Sequence, residues 1–236
     1  MASAPLTDAQ RQALARYAST DLCDALADLG LHGFVADLPW HSPPHAATPL
    51  IGPAWPVMLA PARRAASPSP AAAPATPPPP HYLDAAPAGC VVVLRSPPGP
   101  HGVWGGLLTE RAAQRGVRGA VVWGRVRDLD EVRARGFPLA ATGTSAMGAK
   151  GWAGAGTPAA DGVVLGDADD ADAAAVTVRP GDVVVGDAHG VVVLPRDRID
   201  AVLARCAVNT AADAKVMADL QQGVSLTEAF RRHRGA

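Results

Sequence analysis

The chain has 236 residues, enough to bury a substantial core in one or two domains. A formal charge of −1 excludes a broad basic footprint for nucleic acid, and the one basic run, Arg231 to Arg234, reads as a solvated helix end. Apolar residues make up 48% of the chain but aromatic ones only 4%, so the core must be built from Val, Leu and Ala. No stretch approaches ~18 consecutive apolar residues, so no membrane span is expected. The start, MASAPLTDAQ, lacks the charged flank and apolar run of a secretory signal. A cytoplasmic protein is the expectation, and Cys23, Cys90 and Cys206, none in a CxxC pair, read as buried reduced thiols.

In chain order, Ser3 to Ala27 carries two helix patterns. Thr7 or Asp8 can cap AQRQALARYA; Ser19 or Thr20 can cap DLCDALADLG, which Gly30 closes, with Leu22, Ala25, Leu26 and Leu29 on one face. LIGPAWPVMLAP reads as a short strand whose prolines suit a sheet edge. Pro61 to Pro80 has little apolar bulk and reads as an extended Pro/Ala-rich insertion within a single domain spanning residues 1–236.

From Ala85 the pattern becomes regular. GCVVVLRS is a strand, GVWGGLLTERAAQRG a Gly-rich turn opening a helix, VRGAVVWG a strand, DLDEVRARG a helix stopped by Gly136, and FPLAATGTS a strand. Strands alternating with helices imply parallel neighbours in an α/β fold, because each crossover needs a helix. Ala146 to Pro158 reads as a Gly/Ala-rich loop. DGVVLGDA and AVTVRPGDVVVGDAHGVVVLP then read as antiparallel hairpins, and the chain closes with RDRIDAVLARCAVNTAADAKVMADLQQG and SLTEAFRRH as helices.

Ligands of sheets with parallel strands gather at the strands' carboxyl ends. Arg127 and Asp128 fall at such an end, and so does the turn whose Gly105 and Gly106 bare amides as a helix starts. Arg127 offers a fork matched to a carboxylate, and Asp128 a hard oxygen suited to Mg²⁺ or Mn²⁺, which keep several waters and need few protein ligands. For a 2-oxo acid, a cation chelated by the carboxylate and keto oxygen would stabilise the enolate left when a C–C bond breaks. From spacing alone, an exposed ion pair or an Asp capping the next helix explains the same two residues equally well. GVWGG does not complete a dinucleotide fingerprint, and no GxSxG turn or Cys–His pairing marks a nucleophile.

The order GVWGGLLTERAAQRGVRGAVVWGRVRDLDE, GFPLAATGTS, RPGDVVVGDAHGVVVLP and GVSLTEAF resembles the 4-hydroxy-4-methyl-2-oxoglutarate aldolases. Their family also includes the RraA-like regulators of ribonuclease E activity. The resemblance runs from about Leu14 to Phe230, apart from the Pro-rich insertion. It implies a layered α/β sandwich with a mixed sheet of swivelling β/β/α type, whose C-terminal helix packs on a neighbouring subunit in a homotrimer or homohexamer. It also implies Mg²⁺- or Mn²⁺-dependent release of pyruvate from a small 2-oxo acid, with oxaloacetate decarboxylation alongside. By position, Arg127 would bind the pyruvyl carboxylate, Asp128 would ligate the metal, and the amides of Gly105, Gly106, Leu107 and Leu108 would hold substrate oxygens. Two positions depart from the catalytic members: Gly106 stands where they carry an acid, and Trp123-Gly124 stands where they often write Asp-Gly. A non-catalytic, protein-binding regulator is therefore the alternative.

Other candidates are His101 as a proton carrier, Glu110 and Arg111 at the start of the helix, and Thr144 and Ser145 beside the substrate. Asp187, His189 and Asp213 are groups available to a neighbouring subunit's site, each set against a purely structural role.

Overall fold

In the computed structural model, residues 5–44, 48–62, 80–166 and 175–235 are described; most of the Pro-rich insertion lies outside them. Helix α1 (Asp8–Leu14) opens with a capping box in which the Gln10 amide donates to Thr7 Oγ1 (3.1 Å) and the Thr7 amide to Gln10 Oε1 (3.4 Å). Helix α2 (Ser19–Asp28) is capped differently from the sequence expectation. Its N-cap is Ala18, whose amide donates to Asp21 Oδ2 at 2.9 Å, and neither Ser19 nor Thr20 caps it. The Ser19 amide and hydroxyl donate instead to Asp187, at 2.7 and 2.6 Å, a partner far along the chain. Gly30 ends the helix at φ +68°, where a side chain would be strained.

Two short strands, β1 (Phe34–Val35) and β2 (Trp40–Ser42), precede β3 (Leu50–Pro61). Strand β3 is central and not an edge. It pairs antiparallel with β11 (Val183–Asp187) through Leu50–Pro53, parallel with β4 (Val91–Arg95) from Ala54, and antiparallel with β8 (Ala153–Pro158) from Val57. The prolines fall where a neighbour is missing: Pro53 precedes the β4 ladder, and Pro56 lies where the other neighbour changes from β11 to β8. A missing N–H therefore breaks no ladder bond.

Between β3 and β4 lies the short helix α3 (Tyr82–Ala85). There follow β5 (Gly102–Trp104), α4 (Gly106–Gln114), β6 (Gly119–Val126), α5 (Leu129–Ala134) and β7 (Leu139–Thr144). Strand β8, from the segment expected to be loop, is built of small residues that let it lie close: a Cβ on Gly156 would come within 2.6 Å of the Tyr82 ring. Strands β9 (Val163–Leu165) and β10 (Val176–Val178) pair with each other, and β11 forms a hairpin with β12 (Gly190–Leu194). The chain closes with α6 (Ile199–Gln221) and α7 (Leu226–His233).

The main sheet runs β1-β12-β11-β3-β4-β6-β7-β2, with β3, β4, β6 and β7 parallel. Alternate side chains of each strand serve opposite faces. Val92, Leu94, Ala120, Val122, Leu139 and Ala141 pack under α3, α4 and α5 through Leu83, Ala112 and Val132. Their neighbours Val91, Val93, Val121 and Ala140 pack against the β9–β10 hairpin. At the antiparallel end, Val183, Val185, Val192 and Leu194 meet α2 and the first half of α6, through Leu22, Leu26, Ile199 and Val202. The result is a mixed α/β sandwich with a core of Val, Leu and Ala. Cys90 and Cys206 are buried and Cys23 half-buried; burial pushes their thiols up, to about 12 for Cys90 and about 11 for the other two. Among the described residues no helix is long and apolar enough to cross a membrane.

Candidate functional site

Strand β5 brings the Gly-rich turn to the Arg-Asp pair. It lies parallel to the last residues of β6, and the Arg127 amide donates to the Trp104 carbonyl at 2.9 Å. Trp104 is fully buried, and its indole N–H donates to Thr109 Oγ1 at 2.9 Å, which pins the first turns of α4 to the strand. The first hydrogen bond within α4 runs from the Thr109 amide to the Gly105 carbonyl (3.0 Å), so the amides of Gly106, Leu107 and Leu108 have no partner inside the helix.

Asp128 stands at the N-cap of α5 but does not cap it: its side chain makes no hydrogen bond to that helix. Its backbone is left-handed (φ +54°, ψ +42°), a conformation uncommon outside glycine. That turn sends the carboxylate back toward α4, where Oδ2 lies 3.4 Å from the Gly106 amide and 3.2 Å from Arg127 Nε. Gly105 leaves the room for it, since a Cβ there would come 2.5 Å from Asp128 Oδ2. The terminal nitrogens of Arg127 have no hydrogen-bond acceptor among the described residues, so its fork is open to a ligand. The two side chains are 43% and 34% exposed, which makes the ion pair worth little to stability.

The segments singled out in the sequence therefore meet: Gly105, Gly106, Arg127 and Asp128 surround one helix start. Leu108 turns inward and packs against the core under α4, whereas Leu107 is 85% exposed beside the site. Among the described residues no three His, Cys, Asp or Glu side chains converge as a metal cage. The donor set is of the sparse kind that suits a hydrated Mg²⁺ or Mn²⁺: a hard carboxylate that keeps about a third of its surface exposed.

The remaining candidates have structural partners. His101 Nδ1 lies 2.8 Å from the Gly148 carbonyl, and its ring stacks on Trp152. Glu110 pairs with Arg135 at 3.0 Å, tying α4 to α5, and Arg111 pairs with Asp84. The Thr144 carbonyl accepts from Arg125, and Ser145 Oγ from the Met147 amide. Asp213 pairs with Arg234, while Arg231 and Arg232 pair with Glu228 on the exposed end of α7. The His189 amide donates to Asp187 at 2.9 Å. Burial opposes the charge of Asp187, but the Ser19 and His189 bonds outweigh it and hold the carboxyl below its ordinary range.

Both departures have a packing counterpart. Trp123 is half-buried and packs against the sheet face that carries Val91, Val93 and Val121. Gly106 lies against the side chain of Glu131, a residue the sequence reading passed over. Its only signal was the spacing in Arg127-Asp128-Leu129-Asp130-Glu131, which puts Asp128 and Glu131 on one side of α5.

The family model for RraA-like proteins (aldolase/RraA) matches residues 19–193, and the chain belongs to that family. It is 26% identical over 223 residues to protein DlpA of Legionella pneumophila, covering 92% of this chain and 32% of DlpA. It is 29% identical over 132 residues to a Halalkalibacterium halodurans protein whose name, itself provisional, is 4-hydroxy-4-methyl-2-oxoglutarate aldolase; that match covers 55% of this chain and 57% of the other. The chain thus spans about a third and under three fifths of the lengths of these two relatives. In fold it is similar to Streptomyces coelicolor RraAS2, described as an unusual member of the RNase ES inhibitor RraA family. The TM-score is 0.66 at 23% identity, covering 93% of this chain and 98% of that one.

Proposed function

We propose that the protein is a divalent-metal-dependent lyase that cleaves a small 2-oxo acid to give pyruvate, by retro-aldol cleavage of substrates such as 4-hydroxy-4-methyl-2-oxoglutarate, by decarboxylation of oxaloacetate, or by both. The observation that carries this reading is the left-handed turn at Asp128, which aims a carboxylate at the amide that opens α4 and away from its own helix. The resemblance to a named aldolase supports the substrate class.

In this reading the open fork of Arg127 grips the pyruvyl carboxylate in a bidentate pair. The unpartnered amides of Leu107 and Leu108, with the dipole of α4 behind them, hold the substrate's anionic oxygens. Asp128 would hold Mg²⁺ or Mn²⁺; when bound, that cation supplies a Lewis acid for the electron pair released as the carbon–carbon bond breaks. Trp104 and Thr109 keep the α4 amides fixed, so their alignment costs no reorganisation. The same reading makes the protein a trimer or a pair of trimers. Val208, Met217 and Leu226 on α6 and α7, exposed by 58%, 56% and 53%, support a contact there.

The test is pyruvate release from oxaloacetate across a metal series. The expected result is turnover with Mg²⁺ or Mn²⁺, lost with EDTA and in Asp128→Ala. Turnover indifferent to both treatments would reject the assignment. A second reading, a protein-binding regulator on the same scaffold, draws on the exposed Leu107 beside the site and on the fold shared with an RNase ES inhibitor relative. It requires no turnover with any divalent metal, together with saturable binding of a partner protein that Leu107→Glu abolishes.

A further inference from the structure

Gly106 and Glu131 compete for one place. A Cβ built on Gly106 would fall 1.6 Å from Glu131 Oε2 and 2.6 Å from its Cδ, while Glu131 Cβ is 3.1 Å away. The absence of a side chain at 106 is therefore what admits the Glu131 carboxyl group, which enters from the first turn of α5. The Gly106 amide meanwhile faces Asp128 Oδ2. Two carboxylates from one short helix thus flank the residue that opens the next.

Neither oxygen of Glu131 has a hydrogen-bond or ion-pair partner among the described residues. The arginines that follow it are engaged elsewhere: Arg133 Nε donates to the His41 carbonyl and Arg135 Nε to Glu110. A carboxylate seated against a helix start without bonding any of its amides is not capping that helix. Nor is it neutralised by a neighbour.

We infer that Glu131 is the second carboxylate of the cation site, a positioning residue that acts with Asp128 on a hydrated divalent ion at the start of α4. The inference rests on the lyase reading above. It assigns Gly106 a function as well: the glycine is the berth that keeps the Glu131 carboxyl group in place.

The test is Mn²⁺ affinity, read from the electron paramagnetic resonance signal of free Mn²⁺ over the folded protein, with thermal melts in the absence of metal beside it. Glu131→Gln keeps the shape and removes the charge; it should weaken Mn²⁺ binding by roughly tenfold to a hundredfold, as loss of such supporting groups does. Gly106→Ala leaves Glu131 intact but evicts its flexible end, and should weaken binding to a similar degree. Its melting temperature should hold or rise, because alanine is the better helix former. The double variant Gly106→Asp, Glu131→Ala returns a carboxylate from the opposite helix and should recover most of the lost affinity. Parental Mn²⁺ binding in both single variants, with only a lower melting temperature in Glu131→Gln, would overturn the inference and leave the lyase reading intact. A parent chain that neither binds Mn²⁺ nor releases pyruvate would overturn both.

Discussion

Gly105→Ala isolates the position of the Asp128 carboxylate from its chemistry. The backbone at Gly105 is extended (φ −164°), so alanine fits it without strain. The new methyl group, however, would stand 2.5 Å from Asp128 Oδ2, against 3.4 Å for an ordinary contact, and 3.2 Å from Arg127 Cγ. The carboxylate must retreat by about 0.9 Å, and Arg127 is crowded at the same time. A misplacement near 1 Å in a reacting group costs on the order of 10²-fold in rate, or about 2.7 kcal/mol of barrier. The price in stability is smaller: glycine at an N-cap is preferred to alanine by about 1 kcal/mol, a few degrees in a chain of this size. The assay is initial-rate pyruvate formation from oxaloacetate at saturating Mg²⁺, coupled to lactate dehydrogenase, with a thermal melt of the same preparation. The expected outcome is a rate lower by about two orders of magnitude, with a melting temperature within a few degrees of the parent. A well-folded Gly105→Ala protein within threefold of the parent rate would refute the claim that this carboxylate must sit against the α4 turn.

Two further predictions concern the framework. Thr109→Val is nearly isosteric but leaves the buried indole N–H of Trp104 without its acceptor; urea unfolding should show a loss of about 1–3 kcal/mol, and Thr109→Ser should restore most of it. Asp187 is held below its ordinary range in the folded state, so its contribution is present above the unfolded carboxylate pKa and is lost as pH falls through the lower folded value. Ser19→Ala removes the 2.6 Å hydroxyl bond, so melts should show the parent more stable at pH 7 and the gap closing on acidification below about pH 4; a gap that stays constant down to pH 3 contradicts the linkage.

Much of this protein was legible in the linear order of its residues. Valine runs separated by amphipathic stretches can close only as parallel strands with crossover helices, and that requirement alone put Arg127 and Asp128 at a strand's carboxyl end. Local chemistry wrote the Thr7 cap and the Gly30 and Gly136 stops, because each involves residues within a turn of one another. What the sequence left open depended on neighbours distant in the chain. The prolines of β3 read as edge residues, since nothing local says that the strand changes partners beside Pro56. The Gly/Ala run of β8 reads as loop until Tyr82 and Leu59 are packed over Gly156. Ser19 reads as a cap until Asp187 arrives to claim its hydroxyl.

At the site, residue types alone named an anion grip and a hard ligand, but the same two residues fitted an idle surface pair equally well. What the folded chain adds is the left-handed turn of Asp128 and the approach of α4, which bring that carboxylate to the Gly106 amide, the geometry on which the proposed site rests. Glu131 shows the division most sharply. Its carboxyl group reaches Gly106 because α5 lies across the start of α4, and the space it fills belongs to a residue on another helix, a relation that hydrophobic period does not encode.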